Sequence, residues 1–247
     1  MAFEYYAVDL PGKILYNKQF SISIRRITPI EQKFILSLSQ KQQRTSQDYI
    51  NFLKKLVSFD NPDMTFEELY WFDVQYLLYK IRFTTYEKYP IKLTFKCDNH
   101  DENCNSEINV DLNIGDIVPT EASDIQNLST EILLDNLGNT PIRQKIMSDD
   151  ISIENFIKKH DEIDENDIQM RLLLLDLCLI SNGKTLDEMW KLAEDGTITA
   201  NDTIKIEEWF GKTIWGIKEE VNITCPKCGK ESSRAYVLAL EDFFSAV

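Results

Sequence analysis

Four of the five cysteines in this sequence have the spacing of metal ligands. Cys225 and Cys228 stand in the segment CPKCG, in which two residues separate the thiols and a glycine follows. A turn of this kind directs two thiolates at one ion, and the glycine permits a tight knuckle. Zinc takes four such ligands in a tetrahedron, so this pair needs a second one. Cys97 and Cys104 supply it from more than a hundred residues upstream.

We therefore predict a structural zinc site, with one ion per chain, formed by Cys97, Cys104, Cys225 and Cys228. Four thiolates leave no coordination position for a substrate, so the ligand set favours a structural zinc site over a catalytic one. Structural zinc contributes roughly 10 kcal/mol or more where its binding is coupled to folding. Such an ion would hold together two segments that are far apart in the chain.

The first cysteine pair leaves alternatives open. Six residues lie between Cys97 and Cys104, whereas two to four are usual in a zinc knuckle. The intervening loop contains His100, which is a substitute ligand. A metal-free pair of knuckles is a second alternative. A redox dithiol at Cys225 and Cys228 is a third, although such motifs belong near the start of a βαβ unit.

Other catalytic motifs are missing from the sequence. It has no phosphate-binding glycine loop and no Gly-x-Ser-x-Gly segment. Of its two histidines, His160 follows two lysines and is predicted to be a solvated helix end. Cys178 stands between leucines and is predicted to be a buried core residue. We predict that the protein is not an enzyme.

Composition limits the class of protein. The chain is 43% hydrophobic and 11% aromatic, which is typical of a folded domain. The odd number of cysteines and the lack of a signal-peptide pattern favour a reducing compartment. No apolar run is long enough to span a membrane.

Charge is distributed unevenly along the chain. The net charge is −14, and residues 115–215 alone carry 21 acidic against 9 basic side chains. Phosphate contacts depend on Lys and Arg, so a general nucleic-acid binder is disfavoured. Two explanations of the acidity are open: it keeps the protein soluble, or it forms an acidic face that binds a basic partner.

Local patterns predict an α+β fold. The N-terminus reads as a β-arm of extended pieces over residues 3–9, 13–16 and 19–27, followed by helices. A β-hairpin carries Cys97 and Cys104 beside its tip, and a strand through Val221 and Ile223 leads into the CPKCG knuckle. The further predicted elements are helices over 47–58, 65–83, 151–159, 164–180, 185–195 and 202–215, and hairpin strands over 91–95 with 108–112 and over 131–134 with 142–147.

Three parts follow from these elements. Residues 1–90 form the N-terminal β-arm with its helices. Residues 91–114 and 216–247 form a split zinc-ribbon-like unit. Residues 115–215 form an acidic, mainly helical insertion between the two halves of that unit. The terminal Phe243 and Phe244 are apolar and are predicted to dock.

The order of short motifs resembles that of a known family. The motifs are the Leu10-Pro11-Gly12 turn, an extended segment over 20–27, the capped helix start Thr28-Pro29-Ile30-Glu31-Gln32, the run Tyr76-Leu77-Leu78-Tyr79-Lys80-Ile81-Arg82 before Thr85-Tyr86, the segment Glu131-Ile132-x-Leu134, and the closing Cys225-Pro-x-Cys-Gly229. In this order they are similar to the baseplate hub and tail-assembly proteins of T-even-like contractile-tailed bacteriophages.

The resemblance implies a non-enzymatic component of the phage tail. Its location would be the virion tail baseplate, or the host cytoplasm during assembly. Its partners would be other baseplate and tail proteins, with no nucleic acid and no membrane span, and homo-oligomerisation is left open. The alternative is a zinc-ribbon regulatory or nucleic-acid-associated adaptor. That function needs a basic face, which residues 91–114 and 216–240 do not show.

Overall fold

Helices and small antiparallel sheets make up the fold, which confirms the predicted α+β class. The computed structural model describes residues 3–39, 45–87, 89–98, 104–125, 128–160, 162–164, 166–238 and 240–244. The strands are β1 (Tyr5–Val8), β2 (Ile22–Arg25), β3 (Val57–Phe59), β4 (Ile91–Lys96), β5 (Glu107–Leu112), β6 (Glu131–Leu134), β7 (Gly138–Pro141), β8 (Glu220–Thr224) and β9 (Glu231–Ala235). The helices are α1 (Pro29–Ser39), α2 (Ser46–Leu56), α3 (Trp71–Tyr86), α4 (Met147–Lys159), α5 (Ile168–Leu179), α6 (Leu186–Glu194), α7 (Ala200–Lys212) and α8 (Leu240–Phe244).

The largest core surrounds α3, whose apolar side chains are buried around much of its circumference. Helix α2 packs into the same core through Phe52 and Leu53. The C-terminal α8 docks there as predicted, and the Phe244 ring lies 5.4 Å from that of Phe52. Both ends of the chain therefore contribute to one core. Within the described ranges, no helix combines the length and apolarity needed to cross a membrane.

The N-terminal strands form a sheet with a partner that sequence patterns did not predict. Strand β2 pairs antiparallel with β1 and also with β3, in a register that places Ser23 opposite Ser58. The helix predicted over 47–58 therefore ends at Leu56. Burial of Val57 beside the apolar face of β2 stabilises the extended backbone, which outweighs the helical pattern.

The piece predicted as extended over 13–16 is instead a short 3₁₀ helix, Lys13–Leu15. The cause is a polar contact with α3. The backbone N–H of Gly12 donates to Oδ1 of Asp73 at 2.8 Å, and the Tyr16 hydroxyl donates to Oδ2 at 2.8 Å. Trp215 Nε1 donates to the same carboxylate at 3.2 Å. A fully buried Asp73 thus ties the turn before β2 to the segment after α7.

The capping box at Thr65 does not open the long helix as predicted. It caps a short 3₁₀ helix, Phe66–Glu68, after which Leu69 and Tyr70 are extended and α3 begins. Tyr70 forms an isolated β-bridge with Ile146. The Met147 N–H also donates to the Leu69 carbonyl at 2.9 Å. These long-range backbone hydrogen bonds interrupt a helix that local sequence alone favours.

Residues within 115–215 pack into two further apolar clusters. One joins α5, α6, α7 and β6, and the other lies between α4 and α5. Cys178 is buried in the second cluster, as predicted. The division of the chain into the three predicted parts remains a prediction.

Several boundaries in this region differ from prediction. The partner of β6 is β7, with Leu134 opposite Gly138, instead of residues 142–147. The turn closes earlier because Gly138 adopts a φ of +68°. Helix α4 begins at Met147, since the Asp149 carboxylate accepts the Ile146 N–H at 2.9 Å. Helix α5 begins only at Ile168, since Asp167 caps it. Helix α7 ends at Lys212 instead of continuing to residue 215.

Two hairpins carry the metal-ligand candidates. The first pairs β4 with β5, with Phe95 opposite Ile108, which confirms the hairpin predicted over 91–95 and 108–112. The second pairs β8 with β9, with Thr224 opposite Glu231. Strands β5 and β8 approach one another, so the two hairpins lie side by side.

Candidate metal centre

The four predicted thiols converge at the hairpin tips. The sulfur atoms of Cys97, Cys104, Cys225 and Cys228 all lie within 4.8 Å of one another. The Cys97 and Cys228 sulfurs are 3.7 Å apart, and those of Cys104 and Cys225 are 3.8 Å apart. Each of these pairs joins the first hairpin to the second.

The sulfur separations match a tetrahedral zinc site. With Zn–S bonds of about 2.3 Å, the edge of a regular tetrahedron is about 3.8 Å. Two of the four sulfur–sulfur distances between the hairpins have this length, and all four sulfurs lie within 4.8 Å of one another. A disulfide needs sulfurs about 2.05 Å apart, so neither pair is bonded. The donor set and its spacing therefore fit one zinc ion.

Backbone hydrogen bonds position the ligands at each tip. The Cys97 N–H donates to the Ser106 carbonyl at 2.9 Å, which extends the first hairpin ladder past β4. The Cys225 N–H donates to the Lys230 carbonyl at 2.9 Å. Gly229 closes the knuckle by donating to the Cys225 carbonyl at 2.9 Å, with a φ of +71°. This left-handed conformation explains the glycine after the second cysteine.

Apolar side chains enclose the thiols. Ile108 on β5 and Ile223 on β8 are buried against Cys97, Cys104 and Cys225. Phe95, Val110 and Val221 flank them, as does the partly exposed Cys228. The buried members of this cluster are distinct from those of the core around α3, and Phe95 and Val221 pack against both. The cluster is too small to stabilise two hairpins well by burial alone.

Polar contacts near the cluster favour thiolates. Ser106 Oγ lies 3.1 Å from Cys225 Sγ and 3.4 Å from Cys104 Sγ. The hydrogen bond with Ser106 is the largest cause that lowers the pKa of Cys225 to about 6, and it also lowers the pKa of Cys104. The thiolate is the form that binds zinc.

A charged bridge ties the two hairpins beside the thiols. Asp98 Oδ1 lies 2.6 Å from Arg234 Nη2 and 3.2 Å from Lys230 Nζ. The contact with Arg234, then that with Lys230, lowers the pKa of Asp98 to about 2. Asp98 directly follows a ligand in the first hairpin, and both cations belong to the second. The bridge therefore supports the same junction as the cysteines.

Sequence reasoning found the candidate ligands and missed the residues that support them. The four cysteines lie together as predicted, and Cys178 lies elsewhere. The substitute ligand His100 is outside the described residues. Ser106 and Asp98 were not singled out, because a serine and an aspartate near a hairpin tip have no distinctive sequence signal.

The arrangement is that of a closed site. Within the part of the chain that the structure describes, no second group of three or more His, Cys, Asp or Glu side chains is placed to hold an ion. If the four sulfurs bind one zinc ion, its tetrahedral shell is complete. The chemistry available is then cross-linking of two hairpins.

Comparison with known proteins gives the family. No curated protein matches the chain, and no solved structure does. The family model described as T4 bacteriophage base plate protein matches residues 10–245, nearly the whole chain. This confirms the family-level resemblance seen in the short motifs. Both the thiol cluster and the core around α3 lie inside the matched range, and the chain belongs to the T4 bacteriophage base plate protein family.

Proposed function

We propose that this protein is a non-enzymatic structural or assembly component of the baseplate of a contractile phage tail, at its hub. The family match over residues 10–245 is the observation that carries the proposal. The protein acts by presenting fixed surfaces to neighbouring tail proteins. Its place is the virion baseplate, and the host cytoplasm before assembly is complete.

A structural zinc ion is the second part of the proposal. Cys97, Cys104, Cys225 and Cys228 hold it, and the tetrahedral sulfur spacing supports this. The ion joins residues 91–114 to residues 216–247 as a split zinc-ribbon-like unit. Residues 115–215 are an acidic, mainly helical insertion in that unit. Zinc thereby fixes where the two ends of the insertion leave the rest of the protein.

Fixed surfaces are what a baseplate component needs. A subunit that deformed at its own hairpin junction would not hold its neighbours in place. Metal cross-linking and the Asp98 bridge with Arg234 and Lys230 act on the same junction. This arrangement supports a mechanical role for the thiol cluster.

The test is mass spectrometry of purified phage particles and of assembly intermediates. We expect the chain in baseplates, or in intermediates that lead to them, and we expect tails to be defective when the chain is absent. Normal, infectious tails assembled without this chain would contradict the proposal.

The adaptor alternative is tested on the purified chain. A nucleic-acid-associated protein would bind DNA with an affinity that falls steeply as salt increases. We expect no such binding, because the ribbon segments have no basic face. Salt-dependent DNA binding together with absence from tails would replace the baseplate proposal with the adaptor.

A further inference from the structure

A groove of about 370 Å³ lies between α5 and α7, on the acidic part of the chain. Its walls combine apolar and polar groups. The described residues that line it include no lysine or arginine. They include Leu173, Asp176, Ile198, Thr203 and Glu207.

Asp176 is the unusual residue in this groove. It lies in the leucine-rich helix α5 and is only 5% exposed, yet it lines the groove. Within the described ranges, no side chain or backbone group donates a hydrogen bond to it, and it forms no ion pair. Burial, followed by the charge of Glu207, raises its pKa to about 7. Buried carboxylates normally have a partner. The described residues supply none for Asp176, and its position in the lining leaves it open to a partner that enters the groove.

Other buried carboxylates in the protein show the contrast. Asp73 accepts three hydrogen bonds, and Asp202 accepts from the Asp135 and Thr199 backbone N–H groups. Asp149 accepts a bidentate ion pair from Arg143, with both distances at 2.7 Å. Asp176 alone among these four has no partner in the described part of the chain.

The rim of the groove extends the site. On α5, Ile168 and Leu172 precede Asp176 at intervals of four residues, so the three share one face. Ile168 is 70% exposed and Leu172 is 43% exposed. On α7, Ile204 is 54% exposed and neighbours Thr203 of the lining. Exposed aliphatic side chains beside a buried unpaired charge are typical of an interface.

We propose that this groove receives a lysine or arginine side chain from a partner protein, which pairs with Asp176 and Glu207 while apolar residues of the partner cover Ile168, Leu172 and Ile204. Charge complementarity supports this occupant, because residues 115–215 carry 21 acidic against 9 basic side chains. That the partner is another tail protein rests on the proposed function. That the occupant is a basic side chain does not rest on the proposed function, because it is argued from the charge of the groove.

The first experiment uses the purified chain and a defined probe. The probe is the peptide acetyl-Leu-Arg-Leu-amide, and its matched control has citrulline, which is neutral and nearly the same shape, in place of arginine. In NMR titrations, we expect the arginine peptide to shift amide signals of residues 169–176 and 199–207, with at least fivefold tighter binding than the citrulline peptide. The preference should disappear in Asp176→Asn. Equal binding of the two peptides, or no binding, would overturn the proposal.

Thermal unfolding of the same variant separates binding from a structural role. Asp176→Asn removes an unpaired buried charge, so at pH 8 we expect its Tm to rise by about 2–4 °C. A fall in Tm would mean that the carboxylate has an internal partner, and this would also overturn the proposal. Glu207→Gln is a second variant at an exposed position, where a failure to fold is not expected.

The second experiment concerns the partner class. Variants are expressed during tail assembly, and their incorporation is measured against wild-type chain. We expect Asp176→Asn and Thr203→Trp, which fills the groove, to reduce incorporation about tenfold or more. Glu208→Gln is the control, because it also removes one negative charge, next to Glu207 on α7 but outside the groove. If the variants assemble normally in tails that contain wild-type chain, the tail partner is excluded. Absence of wild-type chain from tails would instead contradict the proposed function.

Discussion

The Sγ atoms of Cys97 and Cys228 lie 3.7 Å apart, although the two residues are 131 positions apart in the chain. Holding two such distant residues together costs the chain conformational entropy. In the chain-entropy model, a cross-link that closes a loop of about 100 residues is worth about 4.7 kcal/mol. The apolar cluster around the thiols is small, so a metal is a suitable source of this stabilisation.

The first prediction concerns metal content. The chain purified without chelator is expected to contain about one zinc ion, measured by elemental mass spectrometry, because four thiolates form a complete zinc shell. Removing zinc with a chelator should lower the Tm and loosen the two hairpins first. Cys225→Ser should lose the metal, whereas Cys178→Ala, in another cluster, should keep it. Absence of metal in freshly purified wild-type chain would contradict the site.

The second prediction concerns the charged bridge at the hairpin junction. Asp98→Asn removes the ion pairs with Arg234 and Lys230, so it should lower the Tm at low salt and have less effect at high salt. The pKa of Asp98 is lowered to about 2 by these partners. The stabilisation should therefore be fully present above about pH 4, which is the pKa of an aspartate in the unfolded chain. It should be lost as the pH falls toward 2.

Asp111→Asn is the control for this variant. Asp111 lies exposed on β5 of the same hairpin. Thermal unfolding at several salt concentrations should show little change for the control. An equal effect of both substitutions would mean that general charge, and not the bridge, accounts for the difference.

The third prediction tests the close approach at Gly12. A Cβ at this position would lie 2.5 Å from Asp73 Oδ2 and 2.7 Å from Trp215 Nε1. Gly12→Ala should therefore push apart the hydrogen bonds around Asp73 and destabilise the fold by about 1–3 kcal/mol. Urea unfolding measures this change.

Gly211→Ala provides a control with the opposite sign. Gly211 lies in α7, and a Cβ there would meet no atom within 4 Å. Because alanine favours a helix over glycine, this substitution should stabilise the protein by about 0.5–1 kcal/mol. If Gly12→Ala were as well tolerated, the packing around Asp73 would be looser than the structure indicates.

Sequence patterns predicted the parts of this protein that depend on nearby residues. The hairpin at β4 and β5 follows from alternating apolar residues on both sides of a polar loop. The convergence of the thiols is predictable because a tetrahedral zinc site would need four ligands, and the two cysteine pairs are distant in the chain. The buried position of Cys178 follows from its apolar neighbours.

Long-range contacts explain most of the wrong predictions of helix and strand boundaries. The capping box at Thr65 predicts a helix correctly at the local level, but the bridge between Tyr70 and Ile146 delays α3. The end of α2 becomes strand β3 because β2 is available as a partner. In the sequence, Asp176 is only an interruption in the apolar run 172–180. Nothing in the sequence shows that α7 would form a groove beside it.

The last prediction concerns the buried ion pair that caps α1. Glu31 Oε1 accepts from Arg25 Nη2 at 2.8 Å, and its Oε2 accepts from the Thr28 N–H at 2.8 Å. Both charged side chains are largely buried, at 7% and 11% exposed for Arg25 and Glu31. Burial by itself raises the pKa of Glu31, but the hydrogen bonds from Arg25 and then Thr28 outweigh it and lower the pKa to about 2.

A lowered pKa gives a defined pH dependence. The stabilisation is fully present above the pKa of an unfolded glutamate, about 4.3, and is lost as pH falls toward 2. Glu31→Gln keeps the shape of the cap but removes the charge, which leaves Arg25 unpaired. It should destabilise the protein by about 2 kcal/mol at pH 7, and the difference from wild type should shrink below pH 4. Glu67→Gln, which breaks the more exposed pair with Lys54, should cause a smaller change. If the Glu31→Gln difference stayed constant from pH 7 to pH 2, the ion pair would not be its cause.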